Sequence, residues 1–215
     1  MFPYTPDVLT AVFAGYNAAY WPLPAAALGL MLGLLLLAVL PQPGGARIMG
    51  AVLAAAWAWI AGAWHFDAFA AINFAAPIYG AFFLLQAALL LWLMAARGSL
   101  DFARGVDRWR VIGAGLALYA LAGYPAMTVL AGGETGGVRL AGMAPGPTAL
   151  LTLALLLMAK GRVPLTLAVI PLLWCLVAGA TASLMLVPED LPLPVLGGAA
   201  FVMIFLKNRR SAVAD

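Results

Sequence analysis

The residues able to do chemistry are few, and they gather around one stretch. Trp57-Ala58-Trp59 is followed by Gly62, by Trp64-His65-Phe66-Asp67 and by Ile72-Asn73. This stretch holds three of the seven tryptophans and the only histidine. An imidazole titrates ordinarily near neutral pH. His65, with Asp67 two residues on, is therefore a candidate for proton exchange, for one metal or haem ligand, or for an outer gate. The plainer alternative is an interfacial histidine that caps its helix. One histidine beside one carboxylate is a poor metal site, and a two-histidine haem is excluded within one chain, so no metal residues are assigned. Cys175, the single cysteine, lies in an apolar run and excludes disulfides and cysteine-pair motifs within the chain. No nucleophile is spaced with His65, which places an enzyme last among the readings.

The remaining candidates are neutral. Asn73 precedes Pro77 by four residues, Leu121 stands four before Pro125 and beside Tyr124, and Leu167 stands four before Pro171. A helical proline leaves the carbonyl four residues earlier without its usual donor. Three such breaks predict a lined cavity, because freed backbone groups are tolerated only where protein or water satisfies them. The alternative is satisfaction by neighbouring helices. Gln86 shares a helix face with Tyr79, and a lone glutamine in a span is more often helix–helix glue than a ligand group.

The elements that position these groups follow from composition. The chain has 215 residues, 66% of them hydrophobic and 9% charged, with mean hydropathy +1.04. A soluble domain carries about a quarter charged residues, so lipid is the expected solvent. The first residues lack the positive region of a signal peptide, so no cleaved leader is expected. Thr5, Pro6 and Asp7 carry helix-start chemistry. They open a short interfacial helix over 5–20, ahead of the belt pair Tyr20-Trp21. Apolar spans are predicted at 22–40, 47–64, 68–96, 111–131, 147–160, 163–187 and 192–207, against a requirement of roughly 20 residues. Pro41-Gln42-Pro43-Gly44-Gly45 and Gly161 mark turns. The loop 97–110 is expected as a short interfacial helix capped by Ser99, with Leu100, Phe102, Val106 and Trp109 toward lipid. No soluble domain, low-complexity tail or internal repeat is visible.

Charge placement sets the orientation. Ten of the eleven basic residues fall on one side if there are seven spans, and only Arg139 lies opposite. Asp7, Asp67, Glu134, Glu189 and Asp190 collect on the side of Arg139. The N-terminus is thus expected outside and the C-terminus inside. No Asp, Glu, Lys or Arg is expected well inside hydrocarbon, which argues against proton-coupled carriers. Lys207 lies too near the helix exit for a retinal Schiff base.

The fifth span is short. From Pro147 to Lys160 it reaches about 21 Å at 1.5 Å per residue, less than a core of about 30 Å. The simplest repair lets 138–146 dip inward and starts the helix within the membrane, with Thr148 and Thr152 on its lining face. Such an end offers free N–H groups to an anion or a carbonyl oxygen. A tilted, protein-capped helix is the alternative.

Tyr16-Asn17-Ala18-Ala19-Tyr20-Trp21-Pro22, Trp57-Ala58-Trp59 with His65-Phe66, Ile72-Asn73-Phe74 leading to Phe82-Phe83 and Gln86, and Pro145-Gly146-Pro147-Thr148 before Thr152 resemble, in that order, an uncharacterised family of small bacterial inner-membrane proteins. The resemblance covers most of the chain and implies a seven-helix protein of unknown function. It also implies cysteine between the two prolines, where this chain has Gly146, so no thiol chemistry carries over.

The reading is an all-α polytopic protein of the bacterial inner membrane, one domain of seven spans. The leading expectation is a small-solute transporter or channel-like protein with a neutral polar cavity in its outer half, formed by His65, Asn73, Tyr124, Thr148, Thr152, Tyr16, Asn17 and Trp59. The alternatives are a ligand- or pigment-binding accessory subunit and, last, an enzyme using His65. The expected partners are the lipid bilayer, a small neutral or anionic ligand and a membrane-protein partner or second copy, with no nucleic acid. The residues assign no cofactor.

Overall fold

The computed structural model describes residues 4–130, 135–185 and 187–214, with side chains to residue 211. Among these residues there are eight helices and no strand: α1 Pro6–Ala19, α2 Leu23–Val39, α3 Gly45–Ala68, α4 Ala76–Ala96, α5 Arg108–Leu130, α6 Pro145–Met158, α7 Thr166–Met185 and α8 Leu193–Ala214. Four of them, α3, α4, α5 and α7, are long and apolar enough to cross a membrane. The pair α1–α2, bent by 90°, makes a fifth candidate.

The centre of the fold is α6. Its 14 residues are apolar nearly all round, and every one is buried. A helix without a polar face belongs in a protein core or in lipid, and this one is in the core. Helices α2, α3, α5, α7 and α8 enclose this one. Close approach to α5 depends on Gly113, where a Cβ would stand 2.8 Å from the Ala154 carbonyl oxygen. Residues 141–144, which lead into α6, are buried as well. The expected inward course of 138–146 thus has a counterpart in a segment enclosed by protein.

Both ends of α6 have a chemical explanation. At its start, the Thr148 hydroxyl accepts from Gly142 N at 2.8 Å and donates to the Ala144 carbonyl at 2.6 Å. At its finish, Lys207 Nζ reaches the carbonyls of Leu156, Leu157 and Ala159 at 3.5, 3.0 and 2.7 Å. The last carbonyls of a helix lack intrahelical donors, and a cation there also meets the negative helix end. Asn208 pairs both backbone groups of Val163 at 2.8 Å, fixing the turn that follows.

Three expectations change. The loop 97–110 is not helical before Arg108; Asp107 caps α5, and its carboxylate accepts from Trp109 N and Arg110 N. Leu100 and Phe102 are buried against the protein rather than turned to lipid. The third span begins at Ala76, not 68, because α3 runs on to Ala68 through a π-helical segment from Ile60. Asn73 consequently lies in a turn, where its carbonyl accepts from Ala76 N at 3.0 Å. Pro77 sits in the first turn of α4, where a missing N–H costs nothing. The expected free carbonyl at Asn73 does not exist.

Candidate functional site

Phe13 of α1 stacks on Trp64 of α3 with ring centroids 3.7 Å apart, and Trp64 stacks on Phe69 at 5.4 Å. These rings form one wall of a cavity of about 80 Å³ that Asn73, Tyr79, Tyr124, Pro145, Gly146 and Trp174 also line. At about 15 Å³ of such volume per water, the space holds roughly five waters or a ligand of similar size.

The polar end of the cavity is charged, not neutral. Arg139 Nη1 lies 3.0 Å from Asp190 Oδ2 and 3.4 Å from Glu189 Oε1. The guanidinium lies over the Phe13 ring, 4.6 Å from its centroid. Tyr124 donates its hydroxyl proton to Asp190 Oδ1. Thr128 donates to Glu189 Oε1 at 3.3 Å. Arg139 and Glu189 are each 4% exposed. Burial pushes the Asp190 carboxyl above its ordinary value, while Arg139 and the Tyr124 hydroxyl pull it back. Buried charges of this kind survive only when paired and hydrogen-bonded.

The cluster shapes the start of α6. A Cβ at Gly146 would meet the Tyr124 hydroxyl at 2.7 Å and Asp190 Oδ1 at 2.9 Å. Position 146 therefore admits no side chain unless this pair shifts. Pro145 and Pro147 carry no N–H, and Thr148 N is bonded to the Ala144 carbonyl at 3.4 Å. Few donors remain for an external anion, and the carboxylate beside this helix end is Asp190 itself.

The expected site residues divide into three groups. Tyr124 and Asn73 line the cavity; the Asn73 side chain also accepts from Ala75 N at 2.9 Å. Tyr16, Asn17, Trp59, Thr148 and Thr152 are outside its lining and bond within the protein. Trp59 Nε1 donates to the Tyr16 hydroxyl at 2.7 Å, which donates to the Met143 carbonyl at 3.3 Å. Asn17 donates to the carbonyls of Gly136 and Val138, both at 2.8 Å. Trp57 Nε1 donates to Thr152 Oγ1 at 3.0 Å, and Thr152 donates to the Thr148 carbonyl at 2.8 Å. These contacts fasten α1, α3 and the 136–143 segment to the start of α6.

His65 forms the third group alone. It is fully buried rather than set at a mouth, and neither ring nitrogen has a hydrogen-bond partner among the described residues. Phe83 and Trp174 surround it at 4.5 and 5.0 Å, with Tyr79 and Phe69 each at 6.0 Å. Asp67 is exposed, so the expected His65–Asp67 pair does not form. Gln86 is helix–helix glue: its Nε2 donates at 2.9 Å to the carbonyl of Leu167, four residues before Pro171.

Sequence reading missed Arg139, Glu189 and Asp190 because each lies in a connection, where charge ordinarily means solvent. The available signal was their frame, since Val187-Pro188-Glu189-Asp190-Leu191-Pro192 sets two carboxylates among apolar and proline residues. Glu134, on the same expected side, lies outside the described residues.

A family described as Family of unknown function (DUF6064) matches residues 7–215, and the chain belongs to it. No curated protein and no solved structure matches the chain.

Proposed function

We propose that this member of a family of unknown function is a seven-span membrane carrier for a small solute, with its N-terminus outside, its C-terminus inside and its binding site in the outer half. The observation that carries the reading is the cavity walled by Phe13, Trp64, Phe69 and Trp174 and ended by Arg139, Asp190 and Tyr124. Apolar walls with a few convergent polar groups are the usual form of a small-molecule site. Below Gly146 the enclosed α6 fills the path with leucine, so a carrier that rearranges fits better than an open channel. The distribution of Lys and Arg supports the orientation. The neutral site expected earlier becomes a charged one.

The test is uptake by proteoliposomes carrying the full chain, against a panel of small solutes. The expected result is saturable uptake of at least one solute above empty vesicles, lost on Asp190→Asn. If no solute enters faster than in empty vesicles, the carrier reading falls. A second reading, a ligand-holding accessory subunit, is favoured by the same filled path below the cavity. It predicts a stoichiometric ligand or partner chain after purification, without uptake.

A further inference from the structure

The charges around the cavity do not balance. At their ordinary charges, one guanidinium faces two carboxylates, leaving a net −1 at a site almost closed to water. The start of α6 adds only about half a positive charge. Glu189 is held by Arg139 and by Thr128 away from the lining, while Asp190 faces the cavity. Its two oxygens accept one proton each, from Tyr124 and from Arg139, so carboxylate lone pairs remain. Much of the remaining lining is aromatic, from Tyr4, Phe13, Trp64, Phe69, Tyr79 and Trp174, and aromatic side chains are the usual neutral partners of an organic cation. Trp64 and Trp174 are the largest of them.

We propose that the cavity takes a small organic cation, a methylated amine or quaternary ammonium, and that Asp190 exchanges this cation for a proton. In the empty state the proton sits on the Asp190 carboxyl; as the cation enters, that proton leaves to water and the carboxylate remains. Charge in the cavity is the same before and after. The titratable and charged groups facing Asp190 are Tyr4 ahead of α1, Tyr119 and Tyr124 of α5, Arg139, Cys175 of α7, and Glu189. Burial raises the Asp190 carboxyl above its ordinary value, which favours holding that proton. Cation binding therefore weakens as pH falls. A free anion cannot take the place of the Asp190 proton, which revises the expected ligand class. This inference rests on the carrier reading and narrows it.

The experiment uses the full chain in lipid nanodiscs, with tryptophan fluorescence as readout because Trp64 and Trp174 line the cavity. The probes are tetramethylammonium chloride, methylammonium chloride, sodium chloride at equal ionic strength, and tert-butanol as a neutral molecule of similar size. The expected result is a saturable change with the organic cations at pH 8, at least tenfold weaker at pH 5, with about one proton released per cation in weak buffer at pH 5. Asp190→Asn removes the saturable change while circular dichroism stays that of the wild type; if this variant does not fold, the wild-type proton count decides. Equal saturation by tert-butanol or by sodium, or a response independent of pH, overturns the cation inference and leaves the carrier reading intact. If no probe saturates and no solute crosses in proteoliposomes, both fall.

Discussion

Gly146 and His65 make opposite demands at the scale of single residues. Gly146 has no room for a side chain, because a Cβ would stand 2.7 Å from the Tyr124 hydroxyl. Gly146→Ala is expected to lower stability by about 1–3 kcal/mol, the usual range for overpacking, and to weaken solute binding by displacing Asp190. Thermal unfolding and the fluorescence titration check the two effects. His65, by contrast, has two buried ring nitrogens without partners among the described residues, and such a group costs roughly 1–3 kcal/mol. His65→Phe is expected to keep the fold and to unfold at the same or a higher temperature. Loss of uptake in a folded His65→Phe protein would return the histidine to the mechanism. The sequence made His65 conspicuous because it is unique. It could not reveal that four rings surround it, since Phe83 and Trp174 come from other helices. The Arg139–Asp190 pair was hidden for a related reason: 51 residues separate its members.

Among the elements, α6 was the most legible. Its shortness and its proline-rich approach point to an unusual start, and Thr148 and Thr152 are expected from the sequence to line a ligand-binding face there. Their role is fastening, since both hydroxyls bond within the helix and its approach. At the other end, Lys207 replaces the missing donors for three carbonyls. Lys207→Met keeps the aliphatic stem and removes the charge. Removing these charge-assisted bonds is expected to lower stability by roughly 2 kcal/mol, read as a lower midpoint of thermal unfolding. Lys207→Arg is expected to recover part of it. The boundary between α3 and α4 was less legible. A π-helical segment changes the residues per turn, and apolar composition alone gives no warning of it between Ile60 and Ala68.

For the whole molecule, hydropathy gave the all-helical class, and the four helices long and apolar enough to span agree with it. The proposed seven-span orientation is open to direct measurement, because the only native cysteine, Cys175, is buried and unreactive toward bulky reagents. Asp67→Cys and Arg210→Cys each place a thiol at an exposed position. An impermeant maleimide is expected to label position 67 in intact cells and position 210 only after permeabilisation. Labelling of both from one side would reject the orientation. The complete enclosure of α6 also bears on biogenesis. A 14-residue segment is too short to leave the translocon as an independent span. Two of the helices that enclose it, α7 and α8, are made after it. During synthesis it therefore waits, partly uncovered, for the last quarter of the chain to emerge. In the membrane reading proposed above, a nascent chain stalled before Leu193 leaves the leucines of α6 without α8 and its last carbonyls without Lys207.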